Sequence, residues 1–146
     1  MVARASKRFE DRRNVNIVQG DVVLCDLEQT DLVVSYYALQ FIPPKFRQDV
    51  VSKIYQALHW GGAFIWFEKV RACDARFQDV FSALYNDFKL GQGFSPEEII
   101  GKSRSLKGVL EPFSTEGNRG LLQRAGFVDV ITVFKYLCFE GVLAIK

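Results

Sequence analysis

The sequence has little of several residue types that define common protein classes. It holds three cysteines (Cys25, Cys73 and Cys138), one histidine and four prolines in 146 residues. The cysteines are odd in number, far apart and without C-x-x-C spacing, so neither a disulfide framework nor a zinc site is predicted. The single histidine, His59, has no nucleophile or carboxylate at a recognised catalytic spacing, and we expect it to cap a helix end or lie on the surface. The sequence therefore predicts no catalytic residue and no metal ligand.

Long apolar runs and a strong net charge are also missing. No run approaches the roughly 20 residues that cross a bilayer, and the start has no signal-peptide core, so we expect a chain without membrane contact in the reducing cytoplasm. The formal net charge of +2 is too small to indicate nucleic-acid binding. For the basic residues of the opening segment, a solvated helix face is favoured over RNA contact: Arg4, Lys7, Arg8, Arg12 and Arg13.

What is present is an alternation of strand and helix patterns over one domain, residues 1–146. The apolar runs "VNIVQGD" (15–21), "DLVVSYYALQF" (31–41) and "GAFIWFEKV" (62–70) predict buried strands. Between the last two, Pro43 and Pro44 suit a first helical turn, apolar residues follow at helical spacing, and Gly61 is expected to end the helix. These elements predict a right-handed βαβ unit.

The second half predicts three more helices and a hairpin. Apolar residues from Phe77 to Phe88 fall on one helical stripe that we expect in the core. Ser95, Pro96 and Glu98 form a capping-box pattern, and a further short helix is expected to end at Gly126. The final apolar runs predict two antiparallel strands around a Phe-Glu-Gly turn.

This order of elements, together with the segments "ALQF", "KIYQAL", "NDFK" and "GFSPEEI", resembles the carboxy-S-adenosylmethionine synthase family. That family belongs to the class I Rossmann-like S-adenosylmethionine-dependent methyltransferases, and it makes the carboxymethyl donor for wobble-uridine modification of transfer RNA. The resemblance implies an α/β fold with a partial methyltransferase sheet, mostly parallel and ending in an antiparallel hairpin. It also implies S-adenosylmethionine or its carboxylated form as cofactor and prephenate as substrate.

In this fold a glycine-rich turn and an acidic residue at the ends of the first two strands hold the cofactor, and the resemblance places both before the first residue. We therefore interpret the chain as an N-terminally truncated, non-catalytic module, with no cofactor expected for this chain alone. The alternative is a fragment of a transfer-RNA modification enzyme that is active only when the missing N-terminal half is supplied.

The resemblance leaves four residual cofactor-side positions. Asp21 and Val22 match a pair that family members place against the adenine, although Asp21 is equally a turn residue. Tyr36 stands where the family has a small polar residue, and a buried strand tyrosine is the favoured alternative. Arg104, in "KSRS", resembles an arginine that binds the carboxylate of the modified cofactor; Ser103 holds the aligned place, so a helix-surface role stays open.

The parent sheet order is 3-2-1-4-5-7-6, so absence of the first two strands would leave the strand over residues 31–39 with a bare apolar edge. Unpaired edges of this kind promote association. We therefore predict a homodimer whose interface is built around residues 31–39 and the N-terminal helix.

Overall fold

The computed structural model describes residues 2–146. The helices are α1 (Val2–Arg8), α2 (Pro44–Ala57), α3 (Ala75–Gly91), α4 (Pro96–Ser105) and α5 (Thr115–Ala125). The strands are β1 (Thr30–Tyr36), β2 (Leu58–Lys69), β3 (Asp129–Tyr136) and β4 (Phe139–Ile145), and one 3-10 turn spans Leu39–Phe41.

The four strands form one sheet in the order β1-β2-β4-β3. β1 runs parallel to β2, and β4 is antiparallel to both β2 and β3. This is the order of the last four strands, 4-5-7-6, of the predicted methyltransferase sheet, so the mixed α/β fold class is confirmed. Only the β1–β2 pairing is parallel.

The strand predicted over residues 15–21 is wrong. That segment is irregular, and Val18 is 73% exposed. Its backbone bonds are those of turns: Val15 N donates to Arg12 O, and Cys25 N donates to Asp21 O at 2.8 Å. The connection that follows holds no helix, so the segment cannot cross over to pair in parallel with β1.

The core lies between one face of the sheet and helices α2 and α5. Phe64 and Trp66 of β2 stack with ring centroids 5.7 Å apart and 16° between planes. Further buried apolar residues from α2, α5, the segment after α5 and β4 complete the cluster: Val50, Val51, Ile54, Leu121, Leu122, Phe127, Val142 and Ala144. Helix α2 follows the predicted apolar spacing because its apolar stripe faces this cluster.

The opposite face of the sheet is largely open. Leu32, Val34 and Tyr36 of β1 point to it and are 50%, 54% and 68% exposed. They continue in register onto Ala63, Ile65 and Phe67 of β2, which are only partly buried. The structure therefore combines one covered sheet face with one apolar face that the described residues leave uncovered.

Helix α3 reaches this open face only at its end. Ring contacts join Tyr85 to Phe139 (5.3 Å) and Phe88 to Tyr136 (5.7 Å). The prediction that its apolar stripe is core is wrong, because no residue of α3 is buried. The helix packs at the end of the sheet, where its other side faces a cavity.

Two turn predictions also need correction. α2 ends at Ala57 and the chain passes directly into β2, so Gly61 does not end a helix. Its φ of +78° instead falls where the register between β1 and β2 is irregular. The final hairpin turns at Leu137 and Cys138, one step before the predicted Phe-Glu-Gly, which belongs to β4. The predicted end of α5 is confirmed, since Gly126 has a φ of +117°.

Candidate functional site

A cavity of about 940 Å³ opens at the end of the sheet where β1 and β2 finish. The turn after β1 and the end of β2 form its floor, with Tyr37, Gln40 and Lys69 facing it. Helices α3 and α4 form the walls. The carboxyl ends of parallel strands are where ligands bind in open α/β sheets, so this cavity is the candidate site.

Basic side chains dominate the cavity. Six cationic residues line it, and none of the described residues that line it is an aspartate or glutamate. The cations come from the end of β2, from α3 and from α4 with the turn after it: Lys69, Arg71, Lys89, Lys102, Arg104 and Lys107. One sign of charge in a concave site attracts an anionic ligand.

Two of these lysines bracket one aromatic ring. The Lys69 and Lys89 ammonium groups lie 4.7 Å and 4.4 Å from the ring centroid of Tyr85. Burial, and then the charge of Lys69, lower the pKa of Lys89. The two cations therefore repel each other, and a bound anion would relieve that repulsion.

Local sequence places the cationic end of α4 at the cavity. The predicted capping box is confirmed: Ser95 Oγ accepts from Glu98 N at 3.2 Å, and Ser95 N donates to Glu98 Oε2 at 2.8 Å. Acidic residues thus stand at the start of α4 and Lys102 and Arg104 at its end, an arrangement that the helix dipole favours.

Backbone strain marks the floor of the cavity. Tyr37 has a φ of +52°, an unusual conformation for a residue other than glycine. Its N–H donates to Phe67 O at 2.9 Å, and its ring meets that of Phe139 at 5.6 Å. These contacts hold the strained residue and turn the chain from β1 into the cavity.

Arg47 fixes the two loops that flank the cavity, and sequence reasoning missed it. Its guanidinium is buried and donates to three carbonyl oxygens: Ile42 (2.7 Å), Glu111 (2.7 Å) and Gln40 (3.1 Å). It also lies 4.5 Å from the ring centroid of Phe113. The available signal was an arginine on the apolar stripe of α2, one turn before Val50 and Val51.

A buried carboxylate lies beneath the same turn. Glu68 is 4% exposed, and within residues 2–146 its Oε1 atom has no hydrogen-bond partner. Burial raises its pKa to about 7, although Trp66, Arg47 and nearby backbone N–H groups act in the opposite direction. It stands in register opposite Glu140 on β4. The two carboxylate oxygens of Glu140 accept hydrogen bonds from the hydroxyl groups of Thr115 and Thr132. The signal for Glu68 was a lone acidic residue within an apolar strand.

The four residues that the resemblance indicated as cofactor-side positions do not all lie in the cavity. Arg104 and its neighbour Ser103 both line the cavity, so the uncertain alignment does not remove this position from it. Tyr36 is 68% exposed, which corrects the expectation of a buried tyrosine, and its ring lies 4.6 Å from that of Tyr37. An exposed edge strand leaves it without a covering layer.

Asp21 and Val22 lie away from the cavity. Asp21 Oδ1 accepts from Val23 N at 2.9 Å, as in a turn, and Val22 O accepts from Lys53 Nζ of α2 at 3.4 Å. S-adenosylmethionine is the cofactor that the resemblance implies, but of the four positions only Arg104 lines the cavity, so the described residues do not form a site that fits it. The roles of all four residues stay predictions.

Within residues 2–146, the histidine, the cysteines and the potential metal ligands do not form a site. His59 does not cap α2; it lies in β2, where Nδ1 is 2.9 Å from Asp31 Oδ1 on the surface. In this part of the chain, no group of three or more potential metal ligands converges, and the three cysteines are free. None of its helices is long and apolar enough to cross a membrane.

Solved structures share this fold. The S-adenosylmethionine-dependent methyltransferase SibL matches with a TM-score of 0.68 and 17% identity, over 99% of this chain and 39% of its own. Human N-acetylserotonin methyltransferase, solved with S-adenosylmethionine, matches with a TM-score of 0.65 and 17% identity, over 99% of this chain and 37% of its own. A family model described as "Methyltransferase domain" matches residues 1–66. The chain therefore has the Rossmann-like fold of S-adenosylmethionine-dependent methyltransferases.

Within that class the sequence is similar to carboxy-S-adenosyl-L-methionine synthases. The enzyme of Staphylococcus epidermidis is 38% identical over 136 residues, which cover 93% of this chain and 60% of that protein. The enzyme of Campylobacter concisus is 38% identical over 133 residues, covering 91% of this chain and 57% of that protein. The resemblance to the carboxy-S-adenosylmethionine synthase family is confirmed, and the chain spans about 60% of the length of these relatives.

Proposed function

We propose that these 146 residues are the anion-binding part of a carboxy-S-adenosylmethionine synthase-like domain and that, by themselves, they bind a carboxylate ligand without catalysing transfer. The observation that carries this proposal is the cavity lined by six cations and no carboxylate. Like charges gathered around one concave site favour an anionic occupant.

The lining also suggests the shape of the ligand. Aromatic rings of Tyr37, Phe81, Tyr85 and Phe139 line the cavity together with the cations. A carboxylate on a six-membered ring matches both features, because the ring packs on aromatic faces while the carboxylate pairs with arginine or lysine. Prephenate, which the resemblance implies, is such a molecule, and the cavity volume lies in the range of small-molecule sites.

The proposal that the chain alone does not catalyse transfer depends on positioning. Group transfer requires donor and acceptor to be held within near-attack distance, which contributes about 7–11 kcal/mol to a barrier. The described residues hold an anion pocket but not a converged cofactor site. The 146 residues are therefore expected to bind S-adenosylmethionine weakly at best.

Titration calorimetry with prephenate tests the anion site. We expect saturable binding that weakens with added salt, and Arg104→Ala is expected to weaken it by about tenfold because one charge-assisted contact is lost. The matched control is Lys45→Ala, which removes an exposed cation outside the cavity that instead lies over the ring of Phe46. No binding by the wild-type chain, or an equal loss in both variants, would contradict the proposal.

A second candidate function is favoured by the open sheet face. Because β1 has a free edge and Leu32, Val34 and Tyr36 are exposed beside it, a complementary methyltransferase half could pair there and complete a cofactor site. The chain would then be part of an enzyme that serves transfer-RNA wobble-uridine modification.

Co-expression distinguishes the two functions. The chain is incubated with S-adenosylmethionine and prephenate, either alone or co-purified with the N-terminal part of the Staphylococcus epidermidis relative, and mass spectrometry measures carboxy-S-adenosylmethionine. We expect none from the chain alone; product only from the pair supports the second function, in which the missing half restores positioning. Product from the isolated chain would refute both.

A further inference from the structure

Three polar side chains lie on the covered face of the sheet. Ser35 of β1 and Trp66 and Glu68 of β2 are 8%, 2% and 4% exposed, so each is more than nine-tenths buried. Within residues 2–146, their Oγ, Nε1 and Oε1 atoms have no hydrogen-bond partner. A buried polar atom without a partner has lost its bond to solvent on folding, and native proteins rarely leave one in that state. A partner is therefore expected for each of the three atoms.

The sheet places these three side chains next to one another. Ser35 pairs with Trp66 across the parallel strands β1 and β2. Glu68 follows Trp66 by two residues, and alternate residues of a strand point to the same face, so both point to the covered side. The Trp66 indole is close enough to the Glu68 carboxyl group to lower its pKa, yet neither Nε1 nor Oε1 completes a hydrogen bond. The three atoms therefore face one small space.

The fourth such atom among residues 2–146 lies elsewhere. It is Nε of Arg119 in α5, whose guanidinium donates from Nη2 to Thr132 Oγ1 at 3.2 Å. The other buried carboxylate of the sheet, Glu140, has both of its oxygens bonded to threonine hydroxyls. In the described part of the chain, the unmet hydrogen bonds of the sheet are thus concentrated in the space between β1 and the end of β2.

The chemistry of the three atoms identifies what can join them. An indole N–H only donates, a carboxyl oxygen accepts, and a serine hydroxyl does both. A metal cation would be repelled by the indole N–H and by the Arg47 guanidinium, whose charge acts on Glu68. An anion would be repelled by the carboxylate. Water donates and accepts at one position, and buried waters typically make about three hydrogen bonds.

We propose that one water molecule is a fixed part of this fold, bound between Ser35 Oγ, Trp66 Nε1 and Glu68 Oε1. It accepts a hydrogen bond from the indole, donates one to the carboxyl oxygen and shares a third with the serine hydroxyl. Ser35 and Glu68 closely precede Tyr37 and Lys69, which line the floor of the cavity, so the water joins β1 to β2 next to that floor. The proposal stands apart from the proposed function, because none of the three residues that hold the water lines the cavity.

A high-resolution crystal structure of the chain tests the site directly. We expect a water peak at about 2.7–3.2 Å from each of the three atoms. Packing without a water peak, a direct hydrogen bond between two of the three side chains, or a peak at the shorter distances of a metal ion would overturn the proposal.

Nuclear magnetic resonance tests the same site in solution, with the second tryptophan as an internal control. Trp60 is 88% exposed, so its indole N–H exchanges with bulk water. The Trp66 indole N–H is expected to exchange slowly and still to show a direct nuclear Overhauser contact with water, because the bound water is held inside the fold. A rapidly exchanging Trp66 N–H, or a slowly exchanging one without contact to water, contradicts the site.

Two variants at Ser35 distinguish bound water from proton exchange through the serine hydroxyl. Ser35→Ala leaves the water its two partners on β2, so its contact with the Trp66 N–H should persist. Ser35→Val places methyl groups against the water, and valine suits a strand, so the contact should be lost while the N–H still exchanges slowly. Ser105→Ala, which removes an exposed hydroxyl at the end of α4, is the control and should change neither signal. Loss of the contact in Ser35→Ala, or its persistence in Ser35→Val, overturns the proposal.

Discussion

Replacing Arg47 by alanine is expected to lower the free energy of unfolding by about 3–5 kcal/mol. The buried guanidinium donates to the carbonyl oxygens of Gln40, Ile42 and Glu111. Its removal leaves these acceptors without a donor, at about 1–3 kcal/mol for each that stays dry, and opens a void beside Phe113. Urea unfolding at fixed pH measures the loss.

Two further variants test whether the loss of stability comes from the hydrogen bonds of the Arg47 guanidinium. Arg47→Lys keeps the charge but cannot span three carbonyls, so we expect an intermediate loss. Lys45→Ala removes an exposed cation from the same helix and is expected to change stability by less than about 0.5 kcal/mol. A value for Arg47→Ala within 1 kcal/mol of wild type would show that water replaces the guanidinium. Because Gln40 lines the cavity, the alanine variant should also weaken prephenate binding.

The second large effect concerns pH. Burial raises the pKa of Glu68 from 4.5 to about 7, so the folded chain holds this proton more tightly than the unfolded chain. Its contribution to stability is fully present below pH 4.5 and is lost as pH rises through 7. The integrated change is about 3 kcal/mol, at 1.36 kcal/mol for each unit.

Glu68→Gln isolates this contribution. The variant cannot ionise, so the difference between its unfolding free energy and that of the wild type should shift by about 3 kcal/mol between pH 4.5 and 8, in favour of the variant at high pH. Glu116→Gln removes an exposed carboxylate and should leave the wild-type pH profile unchanged. A constant difference between wild type and Glu68→Gln over this range would exclude a raised pKa.

The helices of this fold could be predicted because their signals are local. The capping box of α4, the prolines that begin α2 and the glycine after α5 each determine a boundary within a few residues of themselves. Strand pairing depends on distant partners, so "VNIV" has the composition of a strand and still forms none. Prediction of burial fails for the same reason: the stripe of α3 has core spacing, but no residue of this helix is buried within residues 2–146.

The candidate site was predictable only in part. Arg104 entered through the resemblance, whereas Lys69 and Lys89 belong to different elements and meet only because α3 returns over the end of β2. The roles of Arg47 and Glu68 could not be predicted for a different reason. A charged residue within an apolar pattern is visible in the sequence, but its partners, Glu111 and the turn after β1 among them, are determined by tertiary structure.

Five of the six cations of the cavity come from one connection, residues 70–114, between β2 and α5, and the sixth, Lys69, is the last residue of β2. The core cluster, by contrast, is built mostly from residues before and after that connection. Most of the cavity's positive charge and most of the core are therefore encoded in separate stretches of the chain. Under the proposed function, substitutions in the connection are expected to change the charge of the cavity at little expense to the sheet, and exchange of this segment between relatives is expected to carry most of that charge with it.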